Sequence, residues 1–412
     1  MIPGSAVYHV VEAMAPLYTA ALLGYASVRW LGAFSDEQCA GINHFVAIYA
    51  LPVLIFHTVS TNDPYHMDGR LVAGDTLQKA AVLAGLAAWA LIWPRLIRRG
   101  GVKEESDSSA SAVKWVVTSF SVATLPNTII IGVPLLRGMY GDASEGLMKQ
   151  VVVPQFCVWY NVVVFLYEFM AAQRDDGGGG GARIWPESNH GRGYDVSSDD
   201  GTRRRQDVEL NDIQITDPAT AAPSRASTDD GGVAMADVPR PSAPPAQESP
   251  SMMRVLVTAG KKLLKIPNTY ASFLGLIWSL VAFKVGIEMP KIVNDCLFII
   301  YTTAVGLSMF TTGTFIARQS RFVPCGYTVA SISMALKFLV GPVIMLLTSL
   351  AIGLHGTLLR VGVVQAALPL AVTSFVFAEE YKVHADIMST GVILGIFISL
   401  PVTIVYYIVL GL

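Results

Sequence analysis

The chain returns repeatedly to runs of roughly 20 apolar residues, the length a helix needs to cross the hydrocarbon core of a bilayer. Ten such runs can be read: residues 8–30, 42–60, 71–92, 113–136 and 148–172 in the first half, and 272–287, 292–316, 327–354, 358–377 and 387–410 in the second. Each is bounded by charges, glycine or proline. In lipid the backbone must satisfy its own hydrogen bonds, which leaves helices and closed barrels, and runs of this length fit helices. The expectation is an all-α polytopic membrane protein with ten transmembrane helices. The first run is too long for the apolar part of a signal peptide, and no basic segment precedes it. It is therefore expected to act as its own insertion signal.

Between residues 172 and 250 the pattern changes. This segment carries 14 acidic and 8 basic side chains, a glycine run at 177–181, the triplet Arg203, Arg204 and Arg205, and a proline-rich stretch at 239–250. Such a sequence buries too little apolar surface to offset its ordering entropy, so a disordered loop is expected. The chain then divides into a first five-helix membrane repeat (1–171), a disordered cytosolic loop (172–250) and a second five-helix membrane repeat (251–412).

Charged residues make up only 15% of the chain, against about a quarter in soluble domains, which disfavours an ordinary cytosolic enzyme. No basic stripe exists to neutralise phosphates, so no nucleic-acid partner is expected. Cys39, Cys157, Cys296 and Cys325 lie far apart, without disulfide-scaffold or metal-ligand spacing. There is no phosphate-cradling glycine loop, no zinc spacing of His and Glu, and no nucleophile elbow. Neither an enzyme, a metal, a cofactor nor ATP-driven pumping is expected of this chain.

Orientation follows from Lys and Arg in the short loops. Arg95, Arg98, Arg99 and Lys103 follow the third run, Lys261, Lys262 and Lys265 precede the sixth, and Arg318 and Arg321 follow the seventh. All three clusters and the long loop share the cytosolic side if both termini lie on the other. Arg70, Arg137, Lys149, Lys284, Lys291 and Arg360 remain on that opposite side.

An odd number of spans per half makes the two repeats inverted in the membrane. Their fourth members match in a second way. Thr124-Leu125-Pro126-Asn127-Thr128 interrupts the fourth run, and Ala367-Leu368-Pro369-Leu370-Ala371 interrupts the ninth at the corresponding place. Proline removes a donor and clashes with the preceding turn, so both helices are expected to break. Broken helices at membrane depth must face protein or a water-filled cavity, and a matched pair marks the substrate site of a transporter. Half-helix N-termini offer unpaired N–H groups and partial positive charge, which suits an anion.

Ionisable groups inside spans are costly and mark sites by default. Asp75 and Lys79 stand at i and i+4 in the third run, either as a charge pair that responds to protonation or substrate, or as an interfacial pair with Lys79 snorkelling outward. In the second run, Tyr49-Ala50-Leu51-Pro52 reads as another polar break, and His57 as a packing histidine rather than a proton carrier. Gln155 and Tyr160 lie five residues apart, roughly 140° around an ideal helix, flanking one cavity without sharing a narrow face. Asn268, after Pro267, reads on sequence alone as a helix cap.

Long stretches of the chain resemble the PIN-FORMED (PIN) auxin efflux carriers of plants: SVATLPNTIIIGVPLLRGMYG at 121–141, PNTY at 267–270, QAALP at 365–369, FVFA at 375–378 and SLPVTIVYYIVLGL at 399–412. The resemblance covers both membrane halves. It implies two inverted five-helix repeats with broken crossover helices, and an elevator like that of bile-acid symporters. It also implies sodium- and ATP-independent export of the indole acetic acid anion, and a homodimer. Carried over residue by residue, substrate contacts fall on Asn127 and Asn268, which revises the capping reading, and the crossover prolines on Pro126 and Pro369. A support site governing release or protonation falls on Asp75, Lys79, Gln155 and Tyr160. The indole ring is expected against apolar wall residues such as Ile130 and Val372.

The sequence departs from the family pattern in places. Leu370-Ala371 stands where Gln-Gly is usual, Ser374 where a second proline is usual, Ile55 for a serine, Ile266 for an asparagine and Thr302 for an aspartate. The loop of about eighty residues places the chain with short-loop members, which resemble endoplasmic-reticulum carriers, whereas long-loop members reside at the plasma membrane. Both membranes stay open, and kinases acting on the loop have only Arg225-Ala226-Ser227 as a weak match. Two alternatives stand beside auxin export. One is an ion-coupled carrier of another organic anion with Asp75 as proton site, and the other a non-transporting receptor or scaffold.

Overall fold

A computed structural model describes residues 4–99, 108–175 and 252–411. Among them the regular elements are all helical. Nearly all of the acidic segment lies outside the described residues, so the expectation of a disordered loop is not addressed there. At its near edge the helix before it continues through Asp175, past the boundary read at 171.

α1 (Gly4–Arg29) leads to α2 (Asp36–Phe45) and α3 (Leu51–Ser60), joined by a π-turn at Val46–Ala50. α4 (Gly69–Arg99) and α5 (Ser108–Thr124) follow, then a π-turn at Thr128–Gly132 opening α6 (Val133–Tyr140). α7 (Asp142–Pro154) continues through a π-turn at Gln155–Trp159 into α8 (Tyr160–Asp175). Beyond the acidic segment come α9 (Met252–Leu263), α10 (Pro267–Val285) and α11 (Lys291–Arg318). α12 (Tyr327–Ala335) and α13 (Gly341–Ile352) join through a π-turn at Leu336–Val340, and α14 (Gly356–Ala366), α15 (Val372–Glu380) and α16 (Ala385–Gly411) complete the fold.

Among the described residues, six helical stretches are long and apolar enough to cross a membrane: 36–60, 69–92, 142–171, 291–318, 327–352 and 385–411. Large apolar side chains such as Leu22, Leu23, Ile299, Leu339 and Leu347 point outward, as a protein solvated by lipid requires. These stretches fit an integral, multi-pass membrane protein.

The second run does not break at Pro52, as the sequence reading expected. It widens instead into the π-turn at Val46–Ala50, where the Leu51 N–H reaches the Val46 carbonyl. Relaxing to i→i+5 bonding lets a helix pass a ring that has no N–H and crowds the preceding turn. The π-turns before Pro134 and Pro342 stand in the same relation to their prolines.

Two close helix contacts organise the interior. α1 packs along α11, and α3 along α10. A Cβ on Gly313 would lie 1.8 Å from the Ala21 carbonyl oxygen, and one on Gly24 2.0 Å from that of Phe310, so α1 and α11 approach backbone to backbone only because both positions lack side chains. A Cβ on Gly275 of α10 would similarly lie 2.9 Å from the Phe56 carbonyl oxygen. Glu168, buried on α8, accepts from Lys262 of α9 at 2.7 Å and from the Tyr381 hydroxyl at 2.5 Å, tying the helix after the acidic segment to the membrane body.

Candidate functional site

Both expected breaks are present, and they meet. α5 ends at Thr124 and α14 at Ala366, and helix resumes at Thr128 and Val372. Pro126 pairs with Leu370 as an antiparallel bridge. The Asn127 N–H donates to the Pro369 carbonyl at 2.8 Å, and the Ala371 N–H to the Leu125 carbonyl at 3.2 Å. Each junction thus supplies a backbone partner to the other, which is how two open stretches of backbone stay buried in a membrane protein. Pro126 and Pro369 are themselves buried.

Gln155 holds the first junction from behind. Its Nε2 donates to the Pro126 carbonyl at 3.0 Å, and its Oε1 accepts from the Thr128 hydroxyl at 2.6 Å. The π-turn changes its relation to Tyr160. The Tyr160 N–H bonds to the Gln155 carbonyl, so the two residues lie one widened turn apart instead of 140° around an α-helix. Tyr160 is buried, and Asn268 Nδ2 donates to its hydroxyl at 3.4 Å. Asn268 does not cap α10, because Ile266 holds the N-cap position. Its amide is buried, and its Oδ1 has no hydrogen-bond partner among the described residues.

Asn127 opens the π-turn of the second half-helix. Its carbonyl accepts from the Gly132 N–H at 3.0 Å, while its side chain makes no capping bond and stays half-buried. Ile130 and Val372, the expected apolar wall, are both half-buried but belong to different packing clusters. Leu370 is buried against α16, where Gly391 and Gly395 leave room for it. Ser374 and Ile55 are also buried.

Asp75 and Lys79 form a direct pair, each with its side chain 1% exposed. This burial overturns the interfacial alternative, since Lys79 does not snorkel. Gln365, at the end of α14, donates to the same Asp75 oxygen at 3.3 Å, linking the pair to the second junction. The four expected support residues therefore fall into three settings: Asp75 with Lys79, Gln155 under the first junction, and Tyr160 against Asn268. His57 stacks on Tyr301 with ring centroids 4.0 Å apart, in keeping with a packing histidine.

The sequence reading passed over Gln365, Thr128 and Gln78, whose roles come from partners far away in the chain. It also missed Lys337, a lysine in the middle of an apolar run and now 1% exposed; its depth alone was the available signal.

Crossed, broken helices within an apolar helical body belong to a class of integral membrane transporters, and the family model described as "Membrane transport protein" matches residues 9–407. "Probable auxin efflux carrier component 9" of Oryza sativa subsp. japonica is 62% identical, with both chains covered in full. "Auxin efflux carrier component 8" of Arabidopsis thaliana is 37% identical, again over the whole of both. "Probable auxin efflux carrier component 1b" of Oryza sativa subsp. japonica is 34% identical over 98% of this chain and 99% of its own length. The chain belongs to the PIN-FORMED family, in the form with a short hydrophilic segment, and is a membrane transport protein rather than an enzyme.

Proposed function

We propose that this chain exports the indole acetic acid anion from the cytosol as a secondary carrier, by an elevator movement that uses neither ATP nor sodium. The observation that carries this reading is the strapped crossover, with the Asn127 side chain making no capping bond at the start of a half-helix. A carboxylate there meets N–H groups and a partial positive charge. Asn127 and Asn268 orient it, the ring lies against Ile130 and Val372, and Pro126 and Pro369 keep the junction open. Neutral amides hold an anion less tightly than Arg, which keeps release fast. Asp75, Lys79, Gln155 and Tyr160 support the junctions.

Ten spans in two inverted repeats, at 1–171 and 251–412, agree with the packing pattern. Exchanging the repeats turns the α1–α11 contact into the α10–α3 contact. Those four helices form the static part and the crossover helices the moving one, with the acidic segment cytosolic, both termini opposite, and a homodimer in the plasma or endoplasmic-reticulum membrane. One charge moved across 100 mV is worth about 2.3 kcal/mol, enough for roughly a fifty-fold gradient. The names of the relatives, all auxin efflux carriers, supply the substrate.

Proteoliposomes loaded with labelled indole acetic acid test this. Sodium-free efflux that follows an imposed potential is expected. Flux no greater than from empty vesicles rejects the substrate, and flux that appears only with sodium rejects the uncoupled mechanism.

A further inference from the structure

α9 presents two unlike faces. On one, Lys262 donates to the buried Glu168 carboxylate of α8 at 2.7 Å, which fixes how the helix is turned. On the other, Met253, Val257 and Leu264 are 67%, 48% and 68% exposed. Their spacing of four and seven residues places them within about 40° of one another, and roughly opposite Lys262, on an α-helix. Helical bonding reaches Leu264, whose N–H still meets the Gly260 carbonyl at 3.2 Å. Lys261 and Lys265 stand exposed on the flank of this stripe, and neither has a carboxylate partner among the described residues.

An apolar stripe flanked by lysines suits the boundary between hydrocarbon and headgroups, where apolar side chains enter the acyl region and ammonium groups meet negative charge. The stripe leads into α10, whose Leu274, Ile277 and Val281 also point outward, so it continues the outer apolar surface of the membrane body. The acidic segment before α9 matches the lysines in charge, but it is poor in large apolar side chains with which to cover the stripe. We propose that α9 is a binding site for anionic phospholipid, with Met253, Val257 and Leu264 set among the acyl chains and Lys261 and Lys265 against the headgroup. The site is independent of which substrate the chain carries.

The test has two arms. In the first, the full chain is placed in nanodiscs of equal phosphatidylglycerol and phosphatidylcholine, with a benzophenone amino acid in place of Val257. Light captures whatever lies against the stripe, and mass spectrometry identifies the adduct. An excess of phosphatidylglycerol adducts is expected. It should fall about fivefold for each of Lys261→Gln and Lys265→Gln, the scale of one basic residue at an anionic surface, and stay unchanged in Lys284→Gln, an exposed lysine at the far end of α10. Adducts in the ratio of the supplied lipids overturn the proposal, as does the absence of lipid adducts or capture of the acidic segment in their place. The second arm leaves Val257 intact and follows thermal unfolding in detergent with either lipid added. Phosphatidylglycerol is expected to raise the unfolding temperature of the wild type more than phosphatidylcholine does, and to lose that advantage when Lys261→Gln and Lys265→Gln are combined. Equal effects of the two lipids on the wild type overturn the proposal, and so does an advantage that survives loss of both lysines.

Discussion

The Asn127 N–H and the Pro369 carbonyl meet at 2.8 Å, though the residues lie far apart in sequence. With the return bond from Ala371 to Leu125 they make the smallest possible two-strand ladder, in the middle of a helical protein. Ala371 allows a clean test of that ladder. Its φ of −69° already fits proline, so Ala371→Pro removes the N–H with little backbone strain. A stability loss of about 1–3 kcal/mol is expected from the unpaired Leu125 carbonyl, together with reduced efflux. Thermal unfolding of the purified protein beside a flux assay measures both, and an unchanged melting temperature would show that the strap contributes nothing.

Gln155 makes two bonds to the first junction, so its substitutions separate support from charge. Gln155→Leu removes one of the donors to the buried Pro126 carbonyl, which keeps the Thr128 N–H at 2.9 Å, and takes the Oε1 acceptor from the Thr128 hydroxyl; it should lower both stability and efflux. Gln155→Glu keeps an acceptor for Thr128 but adds a negative charge beside the expected anion. It should reduce binding of indole acetic acid more than Gln155→Leu does, as titrations of the two purified variants would reveal.

Breaking the buried Asp75–Lys79 pair from one side leaves an uncompensated charge. Lys79→Met alone should cost about 3–5 kcal/mol. Asp75→Asn combined with Lys79→Met should cost less than the sum of the single changes, because neither charge is then orphaned. Unfolding of all three variants in detergent settles this, and strictly additive losses would mean the two side chains do not act as a pair.

At the α1–α11 contact, glycine sets the spacing. Gly313→Ala places a Cβ where the Ala21 carbonyl stands, and should strongly reduce the amount of folded protein in membranes. Gly306→Ala, on the same helix but facing open space, should be neutral. Fluorescence-detected size-exclusion of tagged variants distinguishes them, and equal yields would disprove the close approach.

Features written in local chemistry were legible in the sequence. Proline's missing donor marked both junctions, and the i, i+4 spacing marked Asp75 with Lys79. Partnerships formed between distant segments were not: Gln365 finds Asp75, Gly341 takes Gln78, and Glu168 joins Lys262 to Tyr381 only once the helices pack. The π-turns lie between these cases. Pro52, Pro134 and Pro342 each follow one at the same offset, a signal present in the sequence but read at Pro52 as a break. The angle assigned to Gln155 and Tyr160 failed for the same reason, since it assumed an unbroken α-helix.

Direct binding of labelled indole acetic acid to purified wild-type protein and to Asn127→Ala reports most immediately on the crossover as the anion site. Removing a hydrogen bond to a charged group costs about 1.5–3 kcal/mol, so the expected result is saturable binding by the wild type and at least about a tenfold weaker affinity in Asn127→Ala, with both proteins unfolding at the same temperature. Equal affinity in a folded Asn127→Ala would contradict it and move the site away from the crossing half-helices.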